Sequence, residues 1–131
     1  VSERVSFEGW VDHTELPGYY HAADLLVHPA RWPEPFNRTL LESMQCDTPP
    51  VVSDRGGSSW VVGEAGLTFR AEQPAGLAGT MRELFDSAVS SDLAANCRKE
   101  LTRFEPEIVV DRIESMYEEL TSTHTGLRWA D

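Results

Sequence analysis

Two short apolar runs restrict the fold of this chain more than any other feature. "DLLV" is ended by His28-Pro29 and "PPVV" by Ser53-Asp54; both are too short for a helix and too uniformly apolar for a strand with a wet face. Such runs suit strands of a parallel sheet covered by helices on both sides. Each is followed by a loop and then a stretch of helical period. After "DLLVHPA" come the loop "RWPEPF" and "NRTLLESMQC", with Leu40, Leu41 and Met44 on one face. After "PPVVSD" comes the glycine-rich turn "RGGSSWVVGEAG", with room for one helical turn, and then a third short strand, "LTF". Strands alternating with helices define an α/β class with a parallel, Rossmann-like sheet.

The flanks complete this reading. "RVSFEGW" alternates Val5 and Phe7 with polar neighbours and reads as a strand running into Gly9. Leu16, Tyr19, Tyr20 and Ala23 recur at helical spacing, with Pro17-Gly18 making the start irregular. Beyond "LTF" three helices are expected: "PAGLAGTMRELFDSAV", "SDLAANCRKELTRF" with Ser91 as N-cap, and "EPEIVVDRIESMYEEL" with Pro106 in its first turn. In the last, Ile108, Val109, Ile113, Met116 and Leu120 read as a packing stripe. Residues 1–120 therefore form one domain, and 121–131, without period, an expected frayed tail.

Composition narrows the function. With 22 acidic and 11 basic side chains the net charge is −11, which repels nucleic acid and anionic membrane. Lys99 is the lone lysine. An acidic, lysine-poor surface suits work in concentrated salt, as a halophile's proteins do, and equally an ordinary acidic domain. Cys46 and Cys97 have no metal-ligand company, so two free thiols in a reduced, cytoplasmic setting are expected. His13, His21, His28 and His124 lack metal-ligand spacing, and no metal is expected. His28 at a strand end suits a hydrogen-bonded structural role. Ser53-Asp54-Arg55 lacks a nucleophile elbow and is no hydrolase triad. Trp10 and Trp32, in strand-end loops, suit cover for the rim of the core, with stacking on a base or sugar as the alternative. Cys46 and Met44 suit core positions.

Ligands of parallel sheets gather at the carboxyl ends of the strands, where "RWPEPFNR" and "DRGGSSW" both fall. With Asn37 as N-cap, the next amides present a positive dipole end, and Arg38 adds a full charge. Gly56-Gly57 permits close backbone approach, and successive free amides there can form an anion-binding concavity. Two such sites side by side suit a diphosphate. Glu34 is stiffly held between Pro33 and Pro35. Glu42, one turn into the helix, leans back toward the same cleft. Carboxylates accept hydrogen bonds from vicinal hydroxyls, which fits a sugar or ribose; solvated surface charges are the alternative.

The succession "VSFEGWV…LPGYYHAADLLVHPAR…EPFNRTLLESMQCDTPPVVSDRGGSSWVVGEAGLTF" resembles the C-terminal, donor-binding domain of retaining glycosyltransferases with the GT-B fold, family 4. That family has a Glu, seven residues and a second Glu, here Glu34 and Glu42, then a Pro-Val-Val strand (Pro50, Val51, Val52) and a Gly-Gly turn (Gly56, Gly57). The resemblance implies that Glu34 contacts hydroxyls of the transferred sugar as the catalytic carboxylate, and that Glu42 holds the ribose. Backbone groups of Phe36 and Asn37 would face the sugar and distal phosphate, with Leu41 beside the nucleoside. The donor would be a nucleotide-diphosphate sugar, transferred with retention and with neither cofactor nor bound metal. Three positions depart from the pattern: Asn37 and Asp47 stand where Gly is common, and Trp60 where Glu is common.

The resemblance also implies a piece of a larger transferase, inactive alone, whose acceptor domain lies elsewhere; any membrane association would belong to that part. Two strand–helix units would be missing between the strands of Val5–Phe7 and Leu25–Val27. Either those strands pair directly in an altered sheet or a second copy covers the exposed edge. The competing function is a non-catalytic α/β interaction module or degenerate transferase relative. The two differ in geometry: donor binding requires Glu34 and Glu42 to line one hollow with the Gly56-Gly57 amides.

Overall fold

A computed structural model describes residues 2–85 and 87–123. The elements are α1 (Leu16–Ala22), β1 (Leu26–His28), α2 (Arg38–Gln45), β2 (Pro50–Ser53), α3 (Ser58–Val62), β3 (Leu67–Phe69), α4 (Pro74–Glu83), α5 (Ser87–Leu101) and α6 (Pro106–Thr123). Short 3-10 turns at Ser2–Arg4, Gly63–Ala65 and Thr102–Phe104 complete the order. The sheet is parallel, in the order β1-β2-β3, with Val27 opposite Val51 and Val52 opposite Thr68.

The apolar run at Pro50–Ser53 is the central strand, and all four residues are buried. Successive side chains of a strand leave on opposite faces, and Val51 and Val52 do so here. Val52 packs with Leu40 of α2 and Val61 and Val62 of α3. Val51 packs with Phe69, Leu84 and Leu93, with Leu77 of α4 against them. A third cluster, Met44, Ala65 and Cys97, seats α5 on the end of α2.

Three expectations fail. Val5–Phe7 is not a strand: it pairs with nothing in the sheet, and Phe7 and Trp10 are almost wholly exposed. A strand needs neighbours for its backbone groups, and direct pairing with β1 does not occur. β1 is accordingly only half-buried while β2 is fully buried. Ser91 is not an N-cap but lies inside α5, which begins at Ser87; the preceding helix stops at Glu83, and Leu84-Phe85 turn so that Leu84 enters the core. The stripe of α6 is not buried as a packing stripe would be: Ile108, Val109, Ile113, Met116 and Leu120 are all exposed. Pro106 does open α6. Residues 121–123 continue that helix, and the rest of the expected tail, His124 included, lies outside the described residues.

The end of α2 explains Asp47. Its amide donates to Met44 O at 3.1 Å and the Thr48 amide to Ser43 O at 3.0 Å, the paired bonds of a Schellman motif. The motif requires a left-handed residue, and Asp47 supplies it with φ +55°. Arg98 of α5 binds the Asp47 carboxylate through Nε at 3.1 Å and Nη2 at 2.9 Å, holding that carboxyl below its ordinary pKa. A depressed folded pKa adds stability above the unfolded value of about 3.9, lost as pH falls through the folded one. Asp47→Asn tolerates the left-handed backbone but loses the ion pair. Its deficit relative to wild type, read by urea denaturation, is expected at neutral pH and should vanish under acid conditions.

Candidate functional site

The carboxyl ends of the three strands are stitched together by side chains that follow them. Ser53 Oγ, ending β2, donates to Ala30 O of the loop after β1 at 2.7 Å. Asp54 Oδ1 accepts from the Ala71 amide beyond β3 at 2.8 Å. The two glycines meet the "PEP" loop backbone to backbone. The Gly57 amide donates to Glu34 O at 2.7 Å, and a Cβ on Gly57 would lie 2.3 Å from Pro35 O. Gly56, at φ +63°, is packed equally closely against Pro33 and Glu34. The glycines therefore seat one loop on another, and the Gly57 amide is spent there; it is not a free donor for an anion. This corrects the expected pair of free amides.

Asn37 is the N-cap of α2, as its position predicts: its side chain accepts from the Thr39 amide at 3.1 Å. Its Nδ2 lies 2.6 Å from His28 Nε2, so His28 has the hydrogen-bonded role expected of it. The stitched loops and the capped start of α2 make one rim along β1 and β2. On one side, Pro29, Ala30, Arg31, Ser53 and Phe69 contribute to a hollow of about 450 Å³. On another side, Phe36, Arg38 and Leu41 line a hollow of about 540 Å³ together with Trp60, Arg103 and Phe104. Three of the residues expected at the site are thus brought together. The Trp60 ring is half-exposed and partnered on this rim: Arg103 lies 4.8 Å from its centroid and Phe104 meets it edge-on.

The two carboxylates are not brought together in one described hollow. Glu42 lines a cavity of about 80 Å³ with His13, Leu16, Pro17, Tyr20, Gln45 and Cys46; Glu34 is not part of it. Tyr20 Oη donates to Glu42 Oε2 at 3.1 Å, and His13 Nε2 lies 3.7 Å from Oε1. The helix period explains this: Glu42 follows Leu41 by about 100° and so faces α1 rather than the hollow that Leu41 lines. The Tyr20–Glu42 bond was invisible in the sequence because it spans 22 residues.

Burial, and then the Glu42 carboxylate, push the Tyr20 phenol up to about 12. A raised folded pKa gives stability that is full below the unfolded phenol value of about 10 and disappears as pH climbs through 12. Tyr20→Phe should abolish that high-pH loss. Ultraviolet titration of the phenolates checks it, the late-titrating ring disappearing in the variant. Met44 is fully buried as expected, whereas Cys46 is only half-buried. Trp10 and Trp32 are exposed, so the rim-covering role expected of them fails.

Residues 1–87 match the family described as Glycosyl transferases group 1. The chain belongs to that family. It is 34% identical over 102 residues to a glycogen synthase of Mycobacterium tuberculosis, covering 76% of this chain and 24% of that protein. Among solved structures it is similar to the sucrose-phosphate synthase of Thermosynechococcus elongatus, with TM-score 0.76 and 32% identity over 92% of this chain and 31% of that one. It is also similar to Anabaena Alr3699/HepE, solved in complex with UDP, with TM-score 0.73 and 29% identity over 92% of this chain and 33% of the other. The fold is that of a GT-B glycosyltransferase C-terminal domain. The chain spans roughly a quarter to a third of the length of these relatives. Among the described residues no helix is long and apolar enough to cross a membrane.

Proposed function

We propose that this chain is the donor-binding part of a retaining glycosyltransferase that uses a nucleotide-diphosphate sugar. The observation that carries the reading is the stitched rim, where the capped start of α2 and Arg38 stand beside the loop of Glu34. The Arg38 amide and guanidinium, with the dipole of the capped start of α2, stabilise charge developing on the leaving diphosphate, as preorganised donors do; the Thr39 and Leu40 amides are already engaged by Asn37. Glu34 contacts the transferred sugar as the catalytic carboxylate. Phe36 and Asn37 face the sugar and distal phosphate through their backbones, Leu41 lies beside the nucleoside, and Glu42 holds the ribose. Gly56 and Gly57 act by holding the Glu34 loop in place. Neither metal nor cofactor takes part. That Alr3699/HepE was solved with UDP, with UDP and glucose, and with UDP-glucose supports the donor class.

The acceptor is held by a further, N-terminal domain in a cytoplasmic enzyme of the family-4 type, and the chain described here binds without turnover. The exposed stripe of α6, from Val109 to Leu120, offers apolar surface for that remainder. Tyr20 takes one acceptor site of the Glu42 carboxylate, on Oε2, and leaves Oε1 to receive a ribose hydroxyl. Calorimetric titration with UDP should show weak binding, lowered about tenfold or more in Glu42→Ala, by the value of a hydrogen bond to a charged group. Equal affinities, or no heat with either protein, overturn the assignment.

One observation favours a second reading. Glu42 occupies its own small cavity apart from Glu34, and the Gly57 amide is spent on Glu34 O. The shared hollow expected of a donor site is thus not formed among the described residues, as a non-catalytic module or degenerate relative would have it. In that case UDP fails to bind wild type while the fold remains intact.

A further inference from the structure

The pair formed by His28 and Asn37 fixes more than a hydrogen bond. A backbone amide can only donate, so the Asn37 atom 3.1 Å from Thr39 N is Oδ1. Its NH2 then faces His28 Nε2 at 2.6 Å and also can only donate. Nε2 must therefore carry the lone pair and Nδ1 the proton. Nδ1 is buried and has no partner among the described residues. A stranded buried donor is costly, so this tautomer is imposed on the ring from the Asn37 side.

We propose that His28 is a positioning residue for α2: its Nε2 lone pair holds the Asn37 side chain in the one orientation that caps the helix and leaves the first amides of α2 fixed at the strand-end rim. Reversing the amide would set Nδ2 against the Thr39 N–H, donor against donor. The cap thus depends on a residue nine positions earlier, at the end of β1, and the helix start is locked to the sheet edge. A glycine at position 37 would need no such partner. The consequence for ligand affinity rests on the donor reading above, whereas the lock itself does not.

Long-range nitrogen–proton correlation on the histidine rings of the wild-type chain, at about pH 8, reads the tautomer directly. The expected result is a proton on His28 Nδ1 and none on Nε2; a proton on Nε2 overturns the proposal. Hydrogen exchange of the Thr39 amide provides the second readout. His28→Leu should speed it about tenfold, the value of a lost cap. His28→Gln, whose carbonyl oxygen falls near the Nε2 position, should restore it to within about twofold of wild type. On an Asn37→Gly background, His28→Leu should have no further effect. Unchanged exchange in His28→Leu, or failure of His28→Gln to restore it, overturns the lock; should the leucine variant not fold, the wild-type tautomer and the glutamine variant still decide. UDP affinity should follow the same order. Absence of UDP binding throughout, with the tautomer as stated, removes the donor reading and leaves the lock standing.

Discussion

Gly56→Ala should destabilise the chain by about 3 kcal/mol, the sum of left-handed strain and overpacking. At φ +63° any side chain is strained, and the added Cβ would lie 2.3 Å from Glu34 O, 2.6 Å from Pro33 C and 2.7 Å from Glu34 N. All three are backbone atoms of a proline-stiffened loop, so no flexible side chain can move aside. That loss is a large part of the ~5–15 kcal/mol that holds a domain of this size. Because the displaced segment carries Glu34, a variant that still folds should also bind a nucleotide sugar more weakly than UDP alone. Gly79→Ala is the control: it lies inside α4 with nothing within 4 Å, and the substitution should stabilise by about 0.5–1 kcal/mol through helix propensity. Urea midpoints of the two variants should move in opposite directions.

Arg103→Met should cost about 2–4 kcal/mol, somewhat below the ~3–5 kcal/mol for breaking a fully buried pair because the Arg103 side chain is 28% exposed. Glu100 is 7% exposed, and its carboxylate lies where a Gly63 side chain would be. Arg103 Nη1 pairs with that carboxylate, Nη2 donates to Trp60 O at 3.2 Å, and the guanidinium covers the Trp60 ring. Removing the arginine strands a charge in the joint between α3, α5 and the turn before α6. Methionine preserves volume, so the loss reports charge and hydrogen bonding rather than a cavity. Adding Glu100→Gln to Arg103→Met should recover part of the stability, since the stranded group is then neutral. Urea denaturation of the two single variants and the double variant measures the coupling; additive losses would show that the pair does not act as a unit.

These two sites show where sequence reasoning stops. β1, β2, β3 and α2 were legible because each carries its own local signal: apolar runs ended by Pro29 and Asp54, and a capped period from Asn37. The roles of Gly56 and Gly57 were half legible. Two adjacent glycines announce a close approach, but only the fold reveals that the approaching body is the Glu34 loop rather than a ligand. The Arg103–Trp60–Phe104 cluster joins residues 43 positions apart and leaves no periodic trace. Val5–Phe7 alternates as a strand does, yet alternation supplies no neighbour, and the segment pairs with nothing in the sheet. The α6 stripe is apolar, as its period predicts, yet exposed rather than buried, because periodicity marks a face without saying what covers it. Glu34 and Glu42 were matched by spacing. Whether they share a ligand depends on the direction of Glu42, which Tyr20 now holds.

The central claim is that the rim at the start of α2 receives a nucleoside diphosphate. Amide chemical-shift mapping with UDP tests it most directly. The account predicts that the Arg38, Thr39 and Leu40 amides move most, with those of Glu42 and Tyr20 following as the carboxylate takes up the ribose. Shifts confined to α5 and α6, or none at millimolar UDP, would contradict it.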